Sequence, residues 1–205
     1  TIFTPIYVTI VSDFFQKISR ECPERVEDFA QSFSENQFVA KSWLVEQLRL
    51  HPITDKEELS VTILGSWYGT LLVPFLFRYF PNIKNLTLVD YDHDTLELAK
   101  YLHRHHKNIN YLCEDLSFDI DEIEDDIIIN TSCEHMIDMS KIKLKGVCAF
   151  QSNNFKKELS HINCALDLED FKKQCQFKTL DYEGEIAFHR YDDEHKRFMV
   201  IGTHE

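Results

Sequence analysis

"ILGSWYGTLL", residues 63–72, decides how this chain is read. An aliphatic run ends on Gly65, and Gly69 follows four residues later. Glycine enters left-handed backbone conformations without a side-chain clash, so Gly65 and Gly69 let the chain turn tightly and bring bare backbone to a ligand. A helix from about Thr70 would present unpaired N–H groups to the same point. Between the glycines stand Ser66, Trp67 and Tyr68. The turn is G-x-x-x-G, not G-x-G-x-x-G, and its indole and phenol obstruct the close approach that a pyrophosphate needs. The loop therefore suits a nucleoside without phosphates and disfavours NAD.

The residues around it set the fold class. Short β-rich runs, "LSVTILG" (59–65), "NLTLVDY" (85–91), "NINYLC" (108–113), "DDIIIN" (125–130) and "GVCAF" (146–150), alternate with helix-length segments. That alternation predicts βαβ units and a buried parallel sheet. "TLELAKYLHRHH" (95–106) is expected to be one of the helices. Two long β-rich stretches, 176–191 and 196–203, flank the polar "DDEH" (192–195) and predict an antiparallel hairpin. Residues 6–50 read as helical. The expectation is an α/β, Rossmann-like, mostly parallel sheet over 59–205, closed by the hairpin, with residues 1–58 as a helical N-terminal cover of the same globule.

In open α/β sheets ligands bind beyond the carboxyl ends of the strands. Asp90, at the end of the second run, lies 21 residues after Gly69. An acid there can accept both hydroxyls of a ribose; the alternative is a solvated acid in "DYDHD" that caps the next helix.

Composition excludes several classes. The chain has 205 residues, 43% hydrophobic, with only 5 Gly and 5 Pro, which fits one packed domain rather than a linker-rich protein. Its apolar runs are too short to span a bilayer. A formal net charge of −13 argues against duplex nucleic acid. The charge is uneven: residues 114–126 hold eight carboxylates and 141–178 eight lysines, which leaves structured RNA open as a partner. The six cysteines form no C-x-x-C pair, and reduced thiols in a cytoplasmic protein are expected.

With these residues in view, the chain resembles the class I S-adenosylmethionine-dependent methyltransferases over roughly residues 59–203. "ILGSWYG" is similar to their glycine-rich first motif, and "LVDYD" to their acidic second motif. "YLCEDLSFD" (111–119) resembles the stretch whose acid meets the adenine amino group, and "DDIIINTSCEHM" (125–136) the motif near the methyl donor and acceptor. The resemblance implies S-adenosyl-L-methionine as cofactor, held by Gly65, Ser66, Trp67, Tyr68, Gly69, Asp90, Tyr91, Glu114, Asp115, Asn130 and Ser132. It implies methyl transfer to an acceptor whose identity the sequence leaves open, a small molecule or a nucleotide/RNA-type substrate. Two positions depart from the pattern. Ile63 replaces the acid before the first glycine, a loss that Glu134 could repair. Trp67 replaces the middle glycine, and either walls the pocket or folds back into the core.

Transfer from a sulfonium needs proximity and orientation, and sometimes a base. Asn130, Glu134 and His135 in "NTSCEH" are the candidate catalytic residues, and Lys41, Gln151, Asn153 and Asn154 the candidate acceptor contacts. "CEH" (133–135) and "HINC" (161–164) together contain metal-ligating types, but neither spacing is a standard pair and no metal is expected. Three other readings remain: transfer of the cofactor's aminocarboxypropyl group, a non-catalytic binder of the same cofactor, and a dinucleotide oxidoreductase.

Overall fold

Leu59–Leu64 forms β1, an apolar strand buried on both faces, and it sits at the centre of the sheet because helices cover each side. A computed structural model describes residues 5–205, so residues 1–4 of the expected cover lie outside the described residues. After β1 come α4 (Leu72–Tyr79), β2 (Ile83–Asp90), α5 (His93–Leu102), β3 (Ile109–Cys113), β4 (Glu122–Asn130), β5 (Lys143–Asn153), α6 (Leu168–Cys175), β6 (Thr179–Arg190) and β7 (Asp193–Thr203). Before it lie α1 (Pro5–Glu21), α2 (Val26–Gln31) and α3 (Glu35–Leu48). The seven strands run β3-β2-β1-β4-β5-β7-β6, all parallel except β7, which is antiparallel to both β5 and β6. The strand order reverses between β1 and β4, so Gly65 leaves β1 at the topological switch point, where ligands bind in such sheets.

Three apolar clusters hold the layers. Leu44, Val45 and Leu48 of α3 pack with Val61, Ile63, Phe75 and Leu88 on one face of the sheet. Ile128, Cys148, Phe150, Phe171 and Phe198 fill the other face. Phe14, Ile18 and Phe29 from α1 and α2 close around Tyr68 and Leu102. Each fully buried side chain of this size contributes on the order of 1.5–3 kcal/mol. The N-terminal helices thus cover the loop after β1 directly.

Four boundaries differ from those expected. β5 continues through Asn153, because Gln151, Ser152 and Asn153 pair with Met199, Phe198 and Arg197 of β7. The polar residues of "FQSNNF" therefore stand on a strand, not in a loop. The hairpin turn is Tyr191-Asp192 rather than 192–195, since Arg190 pairs with Asp193 and both turn residues have positive φ (52° and 63°). α5 stops at Leu102, where His103 (φ −99°, ψ 20°) leaves helical geometry. The helix after the loop begins at Leu72, two residues later than Thr70.

Part of the uneven charge is paired in space. Lys143 and Lys145 at the start of β5 pair with Glu122 at the start of β4, at 2.8 and 2.7 Å. Lys157 pairs with Asp193. Among the described residues no helix is long and apolar enough to cross a membrane. All six cysteines are free thiols.

Candidate functional site

The carboxyl ends of β1, β2, β4 and β5 open into a cavity of about 690 Å³, roofed by α2 and α3. That volume lies within the usual range for a small-molecule site, about 300–1,000 Å³.

Its floor is the loop after β1. Gly65 (φ +59°) and Gly69 (φ +63°) both occupy the left-handed region. A Cβ at Gly69 would stand 2.7 Å from Val73 Cγ2 and 3.3 Å from His103 Nε2. Trp67 is also left-handed (φ 52°), a conformation that costs a bulky residue about 1–2 kcal/mol. Three contacts hold it there. Its amide donates to Asp90 Oδ2 at 2.9 Å, its indole Nε1 donates to Asp28 Oδ2 at 3.1 Å, and its ring packs on Tyr68 at 5.7 Å. The Tyr68 hydroxyl donates to the same Asp28 oxygen at 2.5 Å. Trp67 lines the cavity with one side and joins the α1–α2 cluster with the other. It serves as wall and as core at once.

Asp90 faces the cavity, and its second oxygen accepts the Asp92 amide at 3.1 Å. Burial raises its pKa, while these amides favour the charged form and oppose that rise. The helix-capping role expected as the alternative belongs to Asp92, which accepts from the Asp94 and Thr95 amides. Tyr91, Glu114 and Asp115 line the same acidic side, where the Glu114 amide donates to the Asp90 carbonyl at 3.0 Å. Ser132, Glu134 and His135 line the cavity beyond β4.

Six expected residues are turned elsewhere. The Ser66 hydroxyl is buried and does not line the cavity, and Tyr68 points into the N-terminal cluster. Gly69 lies beneath the loop against His103, whose Nε2 meets the Tyr68 carbonyl at 2.8 Å. Asn130 is fully buried: its Oδ1 accepts the Ser132 amide at 2.9 Å and its Nδ2 faces the Met136 and Met139 sulfurs. It shapes the turn after β4 and cannot reach a ligand. Gln151 donates to the Ala40 carbonyl at 2.8 Å and clasps α3 to the sheet. Asn154 joins these displaced residues, because its side chain accepts the Lys196 amide at 2.9 Å on the hairpin. Of the expected acceptor contacts, Lys41 and Asn153 line the cavity.

The opposite side of the cavity is cationic. Lys41 on α3 and Arg197 on β7 both feel the charge of Glu134. Burial, reinforced by Arg197, lowers the Lys41 pKa to about 7. Arg197 is only 5% exposed, and burial lowers its pKa too. Arg190 also lines the cavity, whereas Arg25 stands on the Asp90 side, donating to Asp92 at 3.1 Å. Arg197 escaped the sequence reading, although a lone arginine inside the apolar run "RFMVIG" is a visible signal. Cys133 is buried, and burial pushes its pKa well up, so it remains a protonated thiol.

No family model and no curated protein matches the sequence. Solved structures do match. The chain is similar to the N-methyltransferase NodS from Bradyrhizobium japonicum in complex with S-adenosyl-L-homocysteine, with a TM-score of 0.57 at 16% identity over 94% of this chain and 98% of that one. It is also similar to an S-adenosylmethionine-dependent methyltransferase from Clostridium acetobutylicum, with a TM-score of 0.59 at 15% identity over 89% and 100% of the two chains. The fold is that of the class I S-adenosylmethionine-dependent methyltransferases.

Proposed function

We infer that the chain is an S-adenosylmethionine-dependent methyltransferase that binds its cofactor in the cavity between the loop after β1 and the end of β2. The observation that carries this reading is Asp90, a cavity-facing acid at the end of β2 that also holds the glycine loop through the Trp67 amide. The solved neighbour bound to S-adenosyl-L-homocysteine has the same fold and supports the cofactor. Asp90 would accept from the ribose, Glu114 and Asp115 would hold the adenine side, and Ser132 and Glu134 would line the methyl-donor end. When bound, the cofactor supplies an electrophilic methyl group.

The acceptor enters from the cationic side. Lys41, Arg197 and Arg190 surround that end of the cavity, so an acceptor bearing a carboxylate or phosphate fits best. Glu134 and His135 stand between the two halves and present polar atoms to the acceptor. A small or nucleotide-type molecule fits this cavity better than duplex nucleic acid. The ion pairs of Lys143, Lys145 and Lys157 leave less free positive charge for a phosphate backbone.

Calorimetric titration with S-adenosylmethionine, S-adenosyl-L-homocysteine and NADH tests the reading. The adenosyl compounds should bind, NADH should not, and Asp90→Asn should weaken adenosyl binding at least tenfold. A folded protein that binds neither adenosyl compound would overturn the assignment. Trp67 in place of a small residue favours a second reading, a chain that binds the cofactor without turnover. Mass analysis of acceptor panels after incubation separates them, and also separates methyl from aminocarboxypropyl transfer.

A further inference from the structure

We propose that Glu134, His135 and His161 form a binding site for one divalent transition-metal ion at the acceptor end of the cavity. All three line the cavity, and one ligand atom from each lies within 4.8 Å of the others. Spacing along the chain does not bring "CEH" to "HINC", but hydrogen bonds between the two loops do. The Asn163 amide donates to the Glu134 carbonyl at 2.9 Å, and its side chain donates to the Met136 carbonyl at 3.0 Å and to Asp138 at 2.8 Å.

The tautomers of both histidines are set by their surroundings. His135 Nδ1 lies 3.1 Å from the Ser160 carbonyl, and His161 Nδ1 contacts the Phe155 carbonyl. A carbonyl only accepts, so each Nδ1 carries the proton and each neutral ring keeps its Nε2 lone pair for another partner. The two rings meet edge to face, with centroids 4.6 Å apart. Glu134 is oriented in the same manner: Asn153 donates to its Oε1 at 2.8 Å, while its Oε2 is buried with no hydrogen-bond partner. An orphaned carboxylate oxygen is costly unless something else satisfies it. Every member of the trio therefore has an outer partner that aims it, as metal ligands do.

Two imidazoles and one carboxylate suit a borderline divalent ion such as zinc or cobalt, and leave positions open. Arms of about 2.1 Å place tetrahedral ligands roughly 3.4 Å apart, so the trio would close by about an ångström on binding. His135, with its side chain 37% exposed, has the freedom to make that movement. The open positions would face the cavity and take a lone-pair atom of the acceptor. Glu134 also feels Lys41 and Arg197, so a bound cation leaves positive charge that an anionic acceptor would neutralise. The site rests on its own geometry; only its use toward an acceptor rests on the transferase reading.

The test is titration of the metal-stripped, full-length protein with Co²⁺ and, separately, Zn²⁺, read by calorimetry and visible absorption. One equivalent should bind, with a cobalt spectrum of nitrogen and oxygen ligands and no thiolate charge-transfer band. His161→Gln and Glu134→Gln should each weaken binding at least tenfold, with thermal melting confirming that the variants fold. Absence of one-equivalent binding, binding unchanged in both folded variants, or a thiolate band placing the ion on the cysteines would overturn the proposal. Should both variants fail to fold, the wild-type cobalt spectrum alone still decides between the trio and the thiols. S-adenosyl-L-homocysteine titrated in parallel keeps the two readings apart: metal binding without it sinks only the transferase assignment, and the reverse sinks only the metal site.

Discussion

Asp90 at the end of β2 accepts the amide proton of Trp67 at 2.9 Å, so one carboxylate both faces the cavity and fixes the loop that floors it. The backbone of the loop leans on the same strand, since the Ser66 amide donates to the Val89 carbonyl at 3.0 Å. Cofactor recognition and loop geometry are thereby coupled through a single side chain.

Asp90→Asn should therefore be felt in the ligand-free protein. The amide's NH₂ must face either the Trp67 or the Asp92 amide, leaving one donor opposed. The expected cost is about 1–3 kcal/mol. For a chain of this length that lowers Tm by roughly 2–4 °C per kcal/mol. Thermal melting without ligand measures it, and an unchanged Tm would show that the loop does not depend on this acid.

Asp28 on α2 accepts from both Trp67 Nε1 and the Tyr68 hydroxyl. Asp28→Ala strands two donors, whereas Trp67→Phe removes one donor together with its need for a partner. The alanine variant should lose about 2–3 kcal/mol in urea unfolding and the phenylalanine variant about 1 kcal/mol. The double variant should lose less than the sum, because the two residues share one interaction.

His103, only 2% exposed, is buried neutral, and burial pushes its pKa down to about 4. The unfolded chain takes up this proton near pH 6.5. Between about pH 6.5 and 4 the unfolded state thus binds more protons, so stability falls as pH drops through this window and is unaffected above it. The contribution lost by pH 5 is about 2 kcal/mol. His103→Gln keeps a donor for the Tyr68 carbonyl but does not titrate. The difference between wild-type and variant unfolding free energies, measured at pH 7.5 and 5, should shift by about that amount. A pH-independent difference would refute it.

Gly69→Ala tests the loop's geometry. Its φ of +63° disfavours any side chain, and the new Cβ would press on Val73 and on the His103 ring. A loss of about 1–3 kcal/mol is expected from strain and overpacking together. A stability equal to wild type would mean that the loop relaxes freely.

Much of the architecture was legible from local pattern. The apolar runs at 59–65 and 125–130 became β1 and the end of β4, and the two long tail stretches became β6 and β7. Boundaries were misread where pairing partners overrode composition. "FQSNNF" carries turn-type residues, yet β7 offers Gln151, Ser152 and Asn153 a backbone ladder, and the Gln151 and Asn153 side-chain amides donate to buried partners. The same override explains Gln151 and Asn154, whose amides were free in the sequence and are spent on backbone partners in the fold.

By itself the sequence determined the period of each element, the left-handed glycines after β1 and the acid closing β2, because these depend on spacing along a strand and on the chemistry of single residues. Parallel strands end on one edge, so Gly65 and Asp90 were bound to become neighbours once the βαβ order was recognised. Which side of Trp67 faces the cavity, which amides are already spent, and that Glu134, His135 and Arg197 share one wall with His161 were decided only by tertiary structure. Those relations rest on loops and a returning strand whose contacts span long stretches of chain, and no local periodicity encodes where such segments meet.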